Sequence, residues 1–161
     1  MTAARRDSVS IRKARFADVD ALTDVENRCF RSYYRDHRLA GEDFERYLRD
    51  PRTLALVAAA DGDVIGYILG HAPVPAHPQT ARVDSVAVLK PWRHHGVARR
   101  LLRRFLTMSR GRGCRRVYLE VGVPNEGAQT LFEQAQFKRY RRLSRYYGGA
   151  TDAVRLRRML T

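Results

Sequence analysis

No apolar run in this sequence approaches the roughly 20 residues that a membrane-spanning helix needs. The opening Met1-Thr-Ala-Ala-Arg-Arg6 has no apolar stretch behind it, so the pattern of a secretory signal is lacking. Cysteine is scarce: Cys29 and Cys114 form neither a metal-ligand pattern nor a disulfide framework. These absences point to a reduced, cytoplasmic protein with no membrane partner. A G-x-x-x-x-G-K-[ST] string is also missing, which excludes a Walker-type phosphate loop. Repeats, linkers and low-complexity stretches are absent, so one domain over residues 1–161 is expected. A further absence is of one charge sign: between Ser85 and Leu119 there is no aspartate or glutamate.

Against that background, 44% hydrophobic and 30% charged residues describe an ordinary globular chain. Its net charge is +14, from 31 Lys and Arg against 17 Asp and Glu. The excess lies in one half. Residues 1–84 carry 13 basic and 13 acidic side chains, whereas residues 85–161 carry 18 basic and 4 acidic ones. Such a one-sided field attracts polyanions: nucleic acid, an anionic membrane surface or a phosphorylated cofactor.

Alternation over Ser8–Ala14 predicts a first strand. Helical spacing of Val19, Leu22, Val25 and Glu26 predicts a helix over Ala17–Cys29, and a second short helix falls near Glu42–Leu48, ended by Asp50-Pro51. Leu54–Ala60, the turn Asp61-Gly62-Asp63 and Val64–Leu69 make a hairpin. After a proline-marked loop come a strand over Arg82–Leu89 and a third helix over Gly96–Arg110. Val97, Leu101, Leu102, Phe105 and Met108 share one arc of that helix; Arg99, Arg100, Arg103, Arg104 and Arg110 take the other. A strand over Arg116–Val121, a fourth helix capped by Asn125, and strands over Phe137–Tyr146 and Ala153–Leu160 complete the chain. The order β-α-α-β-β-β-α-β-α-β-β defines an α/β domain with a mixed central sheet and about four helices.

The chemistry-bearing stretch runs from Asp84 to Leu102, where a β-branched strand ends and a helix opens at Arg93-His-His-Gly96-Val-Ala98. A helix start presents unpaired N–H groups and the positive end of its dipole. Gly96 and the small Ala98 let a bound group approach that backbone closely. These features fit either a pyrophosphate cradle without a Walker lysine or an ordinary glycine-bearing loop. His94 and His95 have no cysteine or carboxylate near them in sequence and read as loop residues, so no metal site is expected.

Arg93, Gly96 and Ala98, after the strand ending Val86-Ala87-Val88, fit R/Q-x-x-G-x-G/A. Here the chain resembles the GNAT acetyltransferase superfamily. Leu119-Glu-Val121, Asn125 and Ala128–Phe137 resemble later segments of that family. Cys29-Phe30, Tyr146-Tyr147, Asp152-Ala153 and Met159 are similar to its RimI-like branch of protein N-α-acetyltransferases. The resemblance implies acetyl-coenzyme A as co-substrate and an amine as acceptor. It places the pantetheine arm on the backbone of Val86, Ala87 and Val88. The pyrophosphate would meet the backbone of Arg93, His94, His95, Gly96, Val97, Ala98 and Arg99, and Asn125 would also touch the cofactor.

Amide formation needs a neutral amine, a base for its proton and an acid for the departing thiolate. Glu120, in the Leu-Glu-Val segment, is the expected base, acting through water; the competing reading makes it an ion-pair partner of an arginine. The branch's tyrosine acid is Phe132 here, and Tyr147 is the substitute put forward, with Tyr146 or water as alternatives. Gln136 stands where the branch has glycine, a position that implies a left-handed cap, and Gly122 where it often has arginine. Asp36, Glu42, Asp43 and Glu45 either steer an ammonium-bearing substrate or serve the start of the second helix.

The expected activity is acetyl transfer to a protein N-terminal α-amine. A small-molecule amine or lysine is the alternative acceptor. A non-catalytic nucleic-acid or ribosome-binding module is the third reading. It is disfavoured because the charged side of the third helix carries no aromatic residue.

Overall fold

The computed structural model describes residues 8–30, 38–147 and 151–161, with Tyr147 described by its backbone alone. Seven strands form one sheet: β1 Ser10–Lys13, β2 Thr53–Ala60, β3 Asp63–His71, β4 Thr80–Val88, β5 Arg116–Gly122, β6 Lys138–Tyr147 and β7 Thr151–Met159. Four helices accompany them among the described residues: α1 Val19–Cys29, α2 Gly41–Arg49, α3 Val97–Gly111 and α4 Glu126–Gln134. The element order is the expected one, and the sheet order is β1-β2-β3-β4-β5-β7-β6.

The expected helix start at Ala17 moves to Val19, because Phe16–Asp18 winds as a 3-10 turn. The cause is Asp18. Its carboxylate accepts from the Arg15 amide at 2.7 Å and from the Arg12 guanidinium at 2.8 Å, which fixes the tighter turn before the helix.

Two apolar clusters lie on opposite faces of the sheet. One joins Leu54, Leu56, Ile68, Val83 and Leu119 to the buried stripe of α3: Val97, Leu101, Leu102, Phe105 and Leu106. The other sets Val25 and Phe44 of α1 and α2 against Val57, Tyr67, Leu69 and Ala87. The arginines of α3 stay on its outer side, with Arg99, Arg100, Arg103, Arg104 and Arg110 exposed.

The site originates at β4 and β5, the one parallel pair among the described residues. They pair only over Thr80–Arg82 and Arg116–Tyr118, and beyond that the strands part. A bulge contributes to the parting: Leu69 opposes Ser85 and Gly70 opposes Val83, so Asp84 is the extra residue on β4. Gly70 is required there, because a Cβ at that position would lie 1.9 Å from the Arg82 carbonyl oxygen. The open edges of β4 and β5 bound a cleft.

Candidate active site

The cleft has two connected parts that share Phe30, Val86, Asn125 and Ala128. The wider part is a groove of about 960 Å³, a size suited to a cofactor. Of the eleven residues expected on the cofactor, ten line it: Val86, Ala87, Val88, Arg93, His94, Gly96, Val97, Ala98, Arg99 and Asn125. His95 does not. The groove also takes in Cys29 and Trp92.

Local conformation explains the cradle. His94 and Gly96 both adopt left-handed backbone, with φ of 63° and 80°, and Gly96 caps α3. The helical ladder begins with Arg100 N–H donating to the Gly96 carbonyl. The amides of Val97, Ala98 and Arg99 therefore stand ahead of that ladder, at the positive end of the helix. Nothing lies within 4 Å of the position a Gly96 Cβ would take, so the approach to this backbone is open. Arg93 turns its Nε to the Val88 carbonyl at 2.8 Å, tying the loop to the end of β4. Arg100 instead donates to the Val9 carbonyl at 2.9 Å, outside the groove. Asn125 caps α4 as expected, its Oδ1 accepting from the Ala128 amide at 3.1 Å.

Titratable side chains from several elements line the narrower part. Glu120 is 2% exposed at its side chain. One oxygen lies 2.7 Å from Arg82, and the other accepts from Arg155 Nε at 2.9 Å. Both oxygens thus have guanidinium partners, the arrangement of the competing sequence reading. Arg82 also lies 2.9 Å from Asp84. Burial pushes the Arg82 guanidinium down, but Glu120 and Asp84 outweigh it and hold its pKa above the usual value. Asp84 accepts from the Tyr47 hydroxyl at 2.8 Å and lies 3.1 Å from His71 Nδ1. Burial first, and Asp84 second, raise the Tyr47 hydroxyl pKa.

Glu26 is the third carboxylate of this part, and it is buried. It accepts from the Leu39 amide at 3.3 Å and from the Tyr67 hydroxyl, which in turn meets Ser85 Oγ at 2.8 Å. Burial raises the Glu26 pKa, and the Tyr67 bond only partly offsets that. The sequence carried a signal for this residue, because Glu26 falls on the apolar stripe of the first helix. Nothing local announced Arg82, Asp84 or Tyr67.

Phe132 is buried and lines this part, packed edge-on against Phe137 with ring centres 5.4 Å apart, so no hydroxyl occupies that position. The Tyr146 hydroxyl lies 3.4 Å from Arg82, beside the Arg82–Glu120 pair. The Tyr147 side chain, Asp36 and Gly148-Gly149 lie outside the described residues. Asp43 accepts from the Ala40 amide at 2.8 Å and from Arg46 at 3.0 Å, so it serves the start of α2. Glu42, Asp43 and Glu45 do not line the cleft. Among the described residues no cluster suited to a metal ion is found, and no helix is long and apolar enough to cross a membrane.

The profile of the Acetyltransferase (GNAT) family matches residues 19–137, so the chain belongs to that family. It is 29% identical to an N-alpha-acetyltransferase of Saccharolobus solfataricus, over 94% of this chain and 93% of that one. It is 34% identical to the N-alpha-acetyltransferase RimI of Mycobacterium tuberculosis, over 71% and 72% of the two chains. The fold is also that of yncA, a Salmonella typhimurium protein solved with its cofactor acetyl-CoA. The TM-score is 0.82 at 19% identity, over 96% of this chain and 95% of that one.

Proposed function

We propose that this chain transfers the acetyl group of acetyl-coenzyme A to the α-amine of a protein N-terminus. The observation that carries this reading is the parting of β4 from β5 opposite the start of α3, which leaves a backbone cradle continuous with a pocket of carboxylates. The relatives' names support it. When bound, acetyl-coenzyme A supplies an acetyl group activated as a thioester. The residues present fit it: β4 pairs with β5 only as far as Arg82, so the backbone at Val86 and Ala87 is left to the groove for the pantetheine arm while Arg93 holds the Val88 carbonyl, and the left-handed Gly96 leaves the α3 amides accessible to pyrophosphate. Arg93 and Arg99 add positive charge to the groove.

At the other end the chain must bind an amine and move its proton. An α-amine with a pKa near 8 is roughly one-tenth neutral at pH 7, whereas a lysine near 10.4 is neutral in about one molecule in 2,500. A site without the branch's tyrosine acid suits the easier nucleophile. Glu120 is the proposed proton acceptor, working through water on whichever lone pairs Arg82 and Arg155 leave to the cleft. Tyr147 or Tyr146 is the proposed donor. Free thiols at Cys29 and Cys114 suit a cytoplasmic setting.

The test is coenzyme A release from acetyl-coenzyme A with paired peptides. One has a free N-terminus and an acetylated lysine; the other has a blocked N-terminus and a free lysine. Release with the first and not the second is expected. Release only with the second, or only with small amines, would move the acceptor to the alternative class. Tyr146→Phe and Tyr147→Phe compared in the same assay separate the donors, because the donor's loss lowers turnover at constant KM.

A further inference from the structure

The helices do not cover the sheet evenly. On one side α1 and α2 pack on β2, β3 and β4. The same side of β5, β7 and β6 carries a different surface. Residues paired across antiparallel strands share a face, and the registers set out two rows on this one. Tyr118, Arg157 and Lys138 form the first, and Glu120, Arg155 and Arg141 the second. The alternate residues of β5 and β7, among them Val117, Leu119, Val154 and Leu156, are buried on the opposite side. Tyr140 is the extra residue of a bulge between Arg139 and Arg141, and the Arg157 guanidinium stands 4.6 Å from its ring centre.

This face is exposed, basic and aromatic. Tyr140 is 43% exposed, and Lys138, Arg141 and Arg157 are exposed around it. Among the described residues these three cations have no carboxylate partner, in contrast to Arg155, which Glu120 holds. The objection drawn from α3, a charged face without aromatics, does not apply here. An acidic protein would need the cations alone, whereas a tyrosine ring 43% exposed, with Arg157 over it and cations without carboxylate partners around it, is what a single-stranded nucleic acid uses: a ring for a base and cations for its phosphates.

We propose that this face binds single-stranded RNA, with a base stacked on Tyr140 and phosphates held by Lys138, Arg141 and Arg157. The activity is separate from acetyl transfer, and its test uses no acetyl-coenzyme A. The probe is a fluorescein-labelled, unstructured oligoribonucleotide of about 12 A and U residues, within the span of single-strand sites. Its anisotropy is followed with the full chain from about 50 mM salt upward. Micromolar binding is expected, with log Kd rising against log salt at a slope of about 2 for three phosphate contacts. Lys138→Ala with Arg141→Ala should reduce that slope by about 1.4. Tyr140→Leu should weaken binding about fivefold or more, and Tyr140→Phe should restore it. Melting curves check that each variant is folded; all three positions are exposed. The proposal is overturned by absence of binding at low salt, or by a folded Tyr140→Leu that binds like the wild type. It is equally overturned if a polyglutamate peptide displaces the probe as well as unlabelled RNA does, which would make the face a docking site for acidic protein.

Discussion

At the α3 end of the cleft the groups proposed to hold the pyrophosphate are backbone amides, and they come from one short segment, Arg93–Arg99. At the β4–β5 end they are side chains, and Glu26, Tyr47, Asp84 and Glu120 arrive from four different elements. A backbone cradle depends on two left-handed residues and a helix start, so it tolerates change in most of its side chains. The side-chain end depends on a network in which Arg82 spans Asp84 and Glu120, and Arg155 closes on Glu120 from β7. The two ends should therefore break in different ways.

The largest effect is expected at the cradle. Gly96→Glu places a side chain at φ 80° and a negative charge where phosphate is proposed to sit. Like-charge juxtaposition of several kcal/mol corresponds to at least about a 100-fold loss of acetyl-coenzyme A affinity, read by calorimetry on the folded variant. Unchanged affinity would remove the pyrophosphate from this loop. A smaller effect sharpens the same end: coenzyme A should bind up to about fivefold better than dephospho-coenzyme A at low salt, with the gap closing as salt rises. Arg99, which lines the groove, is the motive; Arg100, committed to Val9, should contribute nothing.

At the side-chain end Glu26 gives a pH test. Its carboxyl is raised by burial, so its contribution to stability is fully present below the unfolded pKa near 4.3 and is lost as pH rises through the folded pKa. The melting temperature of the wild type should fall relative to Glu26→Gln as pH climbs from about 4 toward neutrality. A difference that stays flat, or runs the other way, would mean that hydrogen bonds from Tyr67 and Leu39 outweigh the burial. The smallest effect lies away from the cleft. Gln136 holds φ 69° just past α4, so Gln136→Gly should stabilise the fold by about 0.5–1 kcal/mol, or about 2 °C in Tm.

These differences also explain what the sequence could disclose. The loop conformation at Arg93–Arg99 was legible because its residues are contiguous and it is set locally by Gly96 and the helix start. The left-handed backbone at Gln136 was announced by the resemblance instead, since the RimI-like branch has glycine at that position. Element order followed from periodicity, with the miss at Phe16–Asp18 caused by a side chain that competes with the helix. The side-chain end was only half legible. The position of Glu120 was visible, but its partners lie 38 and 35 residues away, and strand register alone brings them together. The bulge that frees Asp84 is likewise a property of pairing with β3, which no local pattern encodes. The acidic cluster around Asp43 was left between two readings, because a helix start and a substrate-steering patch use the same residues, and the Asp43 bond to the Ala40 amide is that of a helix start.

The division of the cleft is tested most directly by Glu120→Gln, read twice on one preparation. Turnover is measured with acetyl-coenzyme A and a free N-terminal peptide, and acetyl-coenzyme A affinity is measured calorimetrically. Turnover should fall by roughly 10²–10⁴ while affinity stays within about twofold, because the proposed base is lost and the loop at Arg93–Arg99 is untouched. Near-normal turnover, with a lower melting temperature from the loss of the Glu120 charge between Arg82 and Arg155, would contradict this and leave Glu120 as their structural clamp.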